Sequence, residues 1–203
     1  MSEEKTIYWA LFPRMYKDGA VLSAVPDGGP KAYKYRHGKP LLRNYPALAQ
    51  AVMLFDSINY PSHSKLYDIL PAMDSVLVVN DKVKELFTSL KLDSIEYLPV
   101  QLWDHQEVPV SDNYYIVNPL GNIDFIDMAR SDYVLNPLVE GQVDDIDELV
   151  INYDNIPSHA KLFRASTMMS QLFISDDVRV ALEKADIKGF HLMKAEGWDG
   201  LDF

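Results

Sequence analysis

One heptapeptide occurs twice in this chain, and that recurrence restricts the fold more than any other feature. Pro61-Ser62-His63-Ser64-Lys65-Leu66-Tyr67 returns as Pro157-Ser158-His159-Ala160-Lys161-Leu162-Phe163, with five of seven positions identical and an aromatic ring kept at the last. After a one-residue slip the likeness continues from Val76-Leu77-Val78-Val79-Asn80-Asp81 to Gln171-Leu172-Phe173-Ile174-Ser175-Asp176. Val83, Leu86, Phe87 and Leu90 then match Val178, Ala181, Leu182 and Ala185, at the spacing that lines one face of a helix. Asn80 and Ser175 suit the N-cap position, and Asp81 and Asp176 bring negative charge to the positive end of the helix dipole. Each helix is expected to stop at a turn, Asp93-Ser94 or Lys188-Gly189, before a further apolar stretch, with Gly189 suited to a helix C-terminus. Upstream, Met53-Leu54-Phe55 aligns with Leu149-Val150-Ile151, and Asn59 with Asn155.

The pattern predicts an α+β protein in which a strand-strand-helix-strand unit is present twice. A single such unit leaves a sheet face and a helix face uncovered, so the two are expected to pack together in one domain. Within 1–203 the expected order is an N-terminal antiparallel β segment (1–45), copy one (46–100), an acidic, β-rich insertion (101–147), copy two (148–195) and a tail (196–203). Asp18-Gly19, Pro26-Asp27-Gly28-Gly29-Pro30 and His37-Gly38 mark turns between short N-terminal strands. In the insertion, Tyr114-Tyr115-Ile116-Val117 reads as a buried strand, with Ile123-Asp124-Phe125-Ile126-Asp127 as its partner.

Composition narrows the function. A chain of 203 residues, 48% of them apolar, can bury a core without staples, and the lack of cysteine excludes disulfides and thiolate metal sites. No apolar run is long enough to span a bilayer. The stretch Ile7–Phe12, preceded by Ser2, Glu3 and Glu4, is too short for a secretory core, so residence in the cytoplasm is expected.

The net charge is −11 and unevenly placed. Up to Arg43 there are eight basic and four acidic side chains, whereas between Lys91 and Lys161 a single Arg130 faces fourteen Asp and Glu. Such a field repels nucleic acid and anionic membranes and steers basic partners inward. Trp9, Tyr33, Tyr35 and Tyr45 lie among basic residues, as base-stacking aromatics do, but the overall charge argues against that use. Trp103, Trp198 and Phe203 read as packing residues.

No catalytic template is filled. There is no G-x-S-x-G elbow, Walker loop, G-x-G-x-x-G or H-E-x-x-H, and Gly28-Gly29-Pro30 offers too few donors to cradle phosphate. His63 and His159 lack a partner at ligand spacing and read as turn-fixing residues. Asp124 and Asp127, with His159, are the candidates for a small-ligand enzyme or metal-dependent hydrolase working in a groove between the copies. On one strand, however, a spacing of three puts the two carboxylates on opposite faces. Glu140, Asp144, Asp145, Asp147 and Glu148 lack the order of a calcium loop and instead suggest a surface for a basic protein. No metal or cofactor is expected.

Several segments resemble a family of bacterial immunity proteins found beside polymorphic toxins, immunity family eleven, first catalogued as a domain of unknown function. The residues are Tyr114-Tyr115-Ile116-Val117-Asn118-Pro119-Leu120, Ile123-Asp124-Phe125-Ile126-Asp127 with Ser131, Leu162-Phe163-Arg164, and Leu172-Phe173-Ile174-Ser175-Asp176 leading to Val178, Leu182, Ala185 and Gly189. The likeness is fullest over 95–195 and looser in the first forty residues, where the family's Trp- and Gly-rich opening is weak. It implies stoichiometric inhibition of a cognate toxin by masking its active surface, and it transfers no contact residue.

Overall fold

The computed structural model describes residues 6–92 and 94–201, so the expected roles of Ser2, Glu3, Glu4, Asp93 and Phe203 lie outside it. Two helices form where the periodicity places them: α1 is Asp81–Ser89 and α2 is Asp176–Lys184. Asn80 caps α1, its side chain accepting from the Val83 amide at 3.2 Å. Ser175 holds the same place before α2 but makes no capping bond, because its hydroxyl is drawn to the Asp177 carboxylate and the Lys161 carbonyl.

Both helices end alike. Lys91 and Asp186 turn into the left-handed region, at φ 53° and 51°. The amides of Leu92 and Ile187 then reach back to the carbonyls of Phe87 and Leu182, at 3.2 and 3.1 Å. This is the Schellman closure. Gly189 therefore does not end α2, contrary to expectation. It has φ +101°, and a Cβ there would sit 1.9 Å from the Ile69 carbonyl oxygen.

The strands make two five-stranded sheets and a separate hairpin. The first sheet runs β2 (Val52–Leu54), β5 (Ile95–Trp103), β6 (Pro109–Pro119), β4 (Leu77–Asn80) and β3 (Ile69–Leu70). The second runs β12 (Phe190–Lys194), β1 (Tyr8–Pro13), β11 (Leu172–Ser175), β10 (Leu162–Ala165) and β7 (Asn122–Ile123). In each, the strands before and after the helix are separated by a central strand antiparallel to both. The registers correspond: Tyr114 lies opposite Asn80 and Pro119 opposite Ile95, as Tyr8 lies opposite Ser175 and Pro13 opposite Phe190. Flanking bridges correspond too, Leu22 with Phe55 and Ile126 with Ile151.

Three expectations change. Residues 109–119 are not part of a separate insertion but the centre of the first sheet, where the buried Ile116 and Val117 can be covered on both faces. Their partners are β4 and β5, while Asn122 and Ile123 pair with β10 instead. Among the described residues of 1–45 the one strand is β1, which joins the second sheet, and the Tyr-rich stretch forms short 3-10 turns at Ala32–Arg36 and Leu42–Asn44. Pro26, Pro30, Pro40 and Pro46 remove ladder donors there, leaving local bonds such as the Lys34 amide to the Lys31 carbonyl. Finally, the heptapeptides occupy different places. Leu162 faces Ile174, but facing Val79 is Ile69, three residues beyond Leu66.

The helices lie between the sheets. Val83, Phe87, Val178 and Leu182 pack against Leu11, Leu77, Val79, Val117, Leu172 and Ile174 from the two inner faces. Leu22, Tyr35, Leu41 and Phe55 cover the outer face of the first sheet. Phe125, Leu149, Ile151 and Trp198 cover that of the second. With both faces covered, Leu77-Val78-Val79 and Leu172-Phe173-Ile174 are buried without alternation. Among the described residues no helix is long and apolar enough to cross a membrane.

Candidate functional site

The hairpin of β8 (Asp132–Leu135) and β9 (Val143–Glu148) rests on the outer cover of the second sheet through Tyr133, Val143 and Ile146. Ile146 is buried, and the residues on either side of it point to solvent. A register shift between Val134 and Leu135 lets the consecutive Asp144 and Asp145 both stay exposed. From Ser131 to Glu148 the chain carries six carboxylates, Asp132, Glu140, Asp144, Asp145, Asp147 and Glu148, and no Lys, Arg or His.

None of these carboxylates joins an ion pair among the described residues; the ion pairs fall elsewhere. Asp144 accepts from the Asn136 amide group at 2.8 Å, and Asp145 from the Ile146 backbone at 3.0 Å. Both partners are neutral, so neither bond offsets the charge of these two carboxylates. The five acidic residues singled out from sequence are thus brought together on one element, joined by Asp132. The rest of the acidic middle third is dispersed. Glu96, for example, is turned toward the chain, accepting from the Leu41 amide and from Asn118.

The hairpin loop shows apolar side chains beside the acids. Leu138 is 91% exposed, and Val134, Leu135 and Val139 are each about half exposed (54, 52 and 50%). Neither periodicity nor a motif marks these residues in the sequence. A groove of about 390 Å³ separates Asn136, Val139 and Asp144 from Tyr33, Arg36 and His37, with Met168 and Met169 also lining it. Lys31, Lys34, Arg36, Lys39 and Arg43 also lack ion-pair partners among the described residues, so opposite charges border this groove.

The catalytic candidates do not converge. Asp124 is exposed and meets the Ser166 hydroxyl at 3.4 Å, whereas Asp127 closes its own turn, accepting from the Ala129 amide and lying 3.8 Å from Arg130. His159 is exposed beside a hollow of about 190 Å³ that neither aspartate lines. The Nδ1 of His63 is buried with no partner among the described residues, so it makes no turn-fixing bond there. A groove of about 370 Å³ does run between the sheets, but Leu11, Met15, Pro71, Leu77, Gln171 and their neighbours offer it no titratable side chain. Among the described residues, no three His, Asp or Glu are grouped to hold a metal ion.

Of the aromatic residues near the N-terminus, Tyr33 is exposed, whereas Tyr35 and Trp9 are structural. Tyr35 is 1% exposed, and Trp9 donates to Asp176 while Arg179 lies over its ring. Trp198 packs as expected, edge-on to Phe12 and Phe173. Arg164, in β10, is fully buried, and its Nε and Nη1 find no partner among the described residues. Desolvation, aided by the nearby charge of Arg36, pulls its pKa down to about 10.

The profile of the Immunity protein family (Imm11) matches residues 8–197, a span that takes in both sheets, both helices and the acidic hairpin. No curated protein matches the chain. From this match over nearly its whole length, the chain belongs to the Immunity protein family (Imm11).

Proposed function

We propose that the chain neutralises a cognate bacterial toxin by binding it stoichiometrically in the cytoplasm, with the β8–β9 hairpin as the docking face. The observation that carries this reading is the set of six carboxylates on one hairpin, none of them in an ion pair among the described residues. Family membership supports it. So does the groove of about 370 Å³ between the sheets, which offers binding space but no acid or base for turnover. A basic toxin surface would be drawn to the hairpin, and steering of this kind raises association rates roughly ten- to a thousand-fold. Masking of the toxin's active surface would follow from occupancy alone.

Co-expression with the products of adjacent genes tests the reading, with rescue of growth and co-purification as readouts. The contact face is tested by the triple variant Asp144→Lys, Asp145→Lys, Asp147→Lys. Slower association at low salt and a flatter salt dependence are expected. Unchanged kinetics in a folded variant would move the contact away from the hairpin.

A further inference from the structure

Charge brings partners together but seldom holds them, and the hairpin carries a second feature suited to holding. Leu138 is 91% exposed at the loop, flanked by the half-exposed Leu135 and Val139. An exposed leucine alone is unremarkable. This one, however, sits on a loop whose backbone is pinned. The Asn136 side chain accepts from the amides of Leu138 and Val139 at 2.8 and 3.0 Å. The Asn136 amide reaches the Gln142 carbonyl at 2.8 Å, and Gln142 in turn ties the loop to the Ser166 carbonyl at 2.9 Å. An apolar side chain held out by an ordered loop loses little freedom on burial, which favours tight binding.

We propose that Leu138 is the apolar anchor of the docking surface, inserting into an apolar recess on a partner protein whose surrounding surface is basic. This rests on the toxin-binding reading above. The six carboxylates on the same hairpin decide the class of occupant. A second copy docking through the same face would set like charges against each other, and an anionic bilayer would be repelled. A basic protein is attracted, and its charges would form a rim around the buried leucine, as in interfaces where a few central apolar contacts hold most of the affinity.

The test uses the full chain and an inactivated form of the toxin domain encoded beside it, with binding followed by surface plasmon resonance. Leu138→Ser should leave the melting temperature and association rate unchanged and raise the dissociation rate on the order of tenfold or more. Leu138→Met should restore slow dissociation. Asn136→Ala, which frees the loop but keeps the leucine, should weaken binding by a smaller factor. If the unaltered chain binds and Leu138→Ser dissociates no faster, the anchor is refuted while the toxin-binding reading stands. If the unaltered chain neither binds nor protects, both fall together. Light scattering showing a dimer that Leu138→Ser dissolves would assign the leucine to self-association and overturn the proposal.

Discussion

The Nζ of Lys84 lies 3.7 Å from the centroid of the Tyr115 ring, joining α1 to the central strand of the first sheet. At the corresponding place in the second sheet, the Arg179 guanidinium lies 5.1 Å from the centroid of the Trp9 ring. Arg179 also donates to Asp176 at 2.7 Å and Glu183 at 2.8 Å. Lys84→Met should therefore lower stability by about 0.5–1 kcal/mol, and Arg179→Met should lower it further. Urea denaturation of the two variants checks the order; equal effects would mean that the ring contact dominates in both.

Gly189 allows the turn after α2 to touch β3. With φ +101° and the Ile69 carbonyl oxygen 1.9 Å from an added Cβ, no side-chain rotation relieves the contact. Gly189→Ala should lower stability by about 3 kcal/mol or more, read as a large fall in melting temperature. Gly141→Ala, also at positive φ but with open space around it, should lose only about 1–2 kcal/mol.

A buried guanidinium with Nε and Nη1 unmatched is a weakness in a core. Arg164→Met keeps the length and removes the charge, so the variant should be as stable as the parent or more stable at neutral pH. Thermal melting decides this. A marked loss of stability would show that Arg164 is compensated more fully than its contacts suggest.

Acid should unfold the protein for identifiable reasons. Asp56 accepts from the amides of Asn59 and Ile58 and from the Asn59 side chain, bonds that hold its pKa below the usual carboxylate value. Arg179, chiefly through its hydrogen bond, does the same for Asp176. A carboxyl group with a depressed folded pKa contributes stability above its unfolded pKa, about pH 4, and loses it as pH falls through the folded value. Stability should therefore drop below about pH 4, and Asp56→Asn should flatten that drop in a pH series of melts.

The helices were legible because their determinants are local. Asn80, the apolar face of Val83 and Phe87, and the turn beyond Leu90 all lie within a dozen residues. Strand partnership was not legible. Nothing in Tyr114–Val117 says that it lies between residues 77–80 and 95–100, because pairing is settled by burial over long separations. The heptapeptide shows how likeness can mislead: Tyr67 stacks on Tyr16 at 4.3 Å and donates to Asp18, which keeps the first copy off the ladder that the second copy enters. At the site, the carboxylates were visible as composition, whereas Leu138 became visible only once its 91% exposure was known.

Strand β1 is synthesised long before its hydrogen-bonding partners, residues 172–175 and 190–194. A ribosome must therefore pass residue 194 before Trp9 and Leu11 have both of their neighbours. Until then the second sheet is incomplete beneath α2. A product cut short before residue 172 would therefore leave β1 without either of its neighbours.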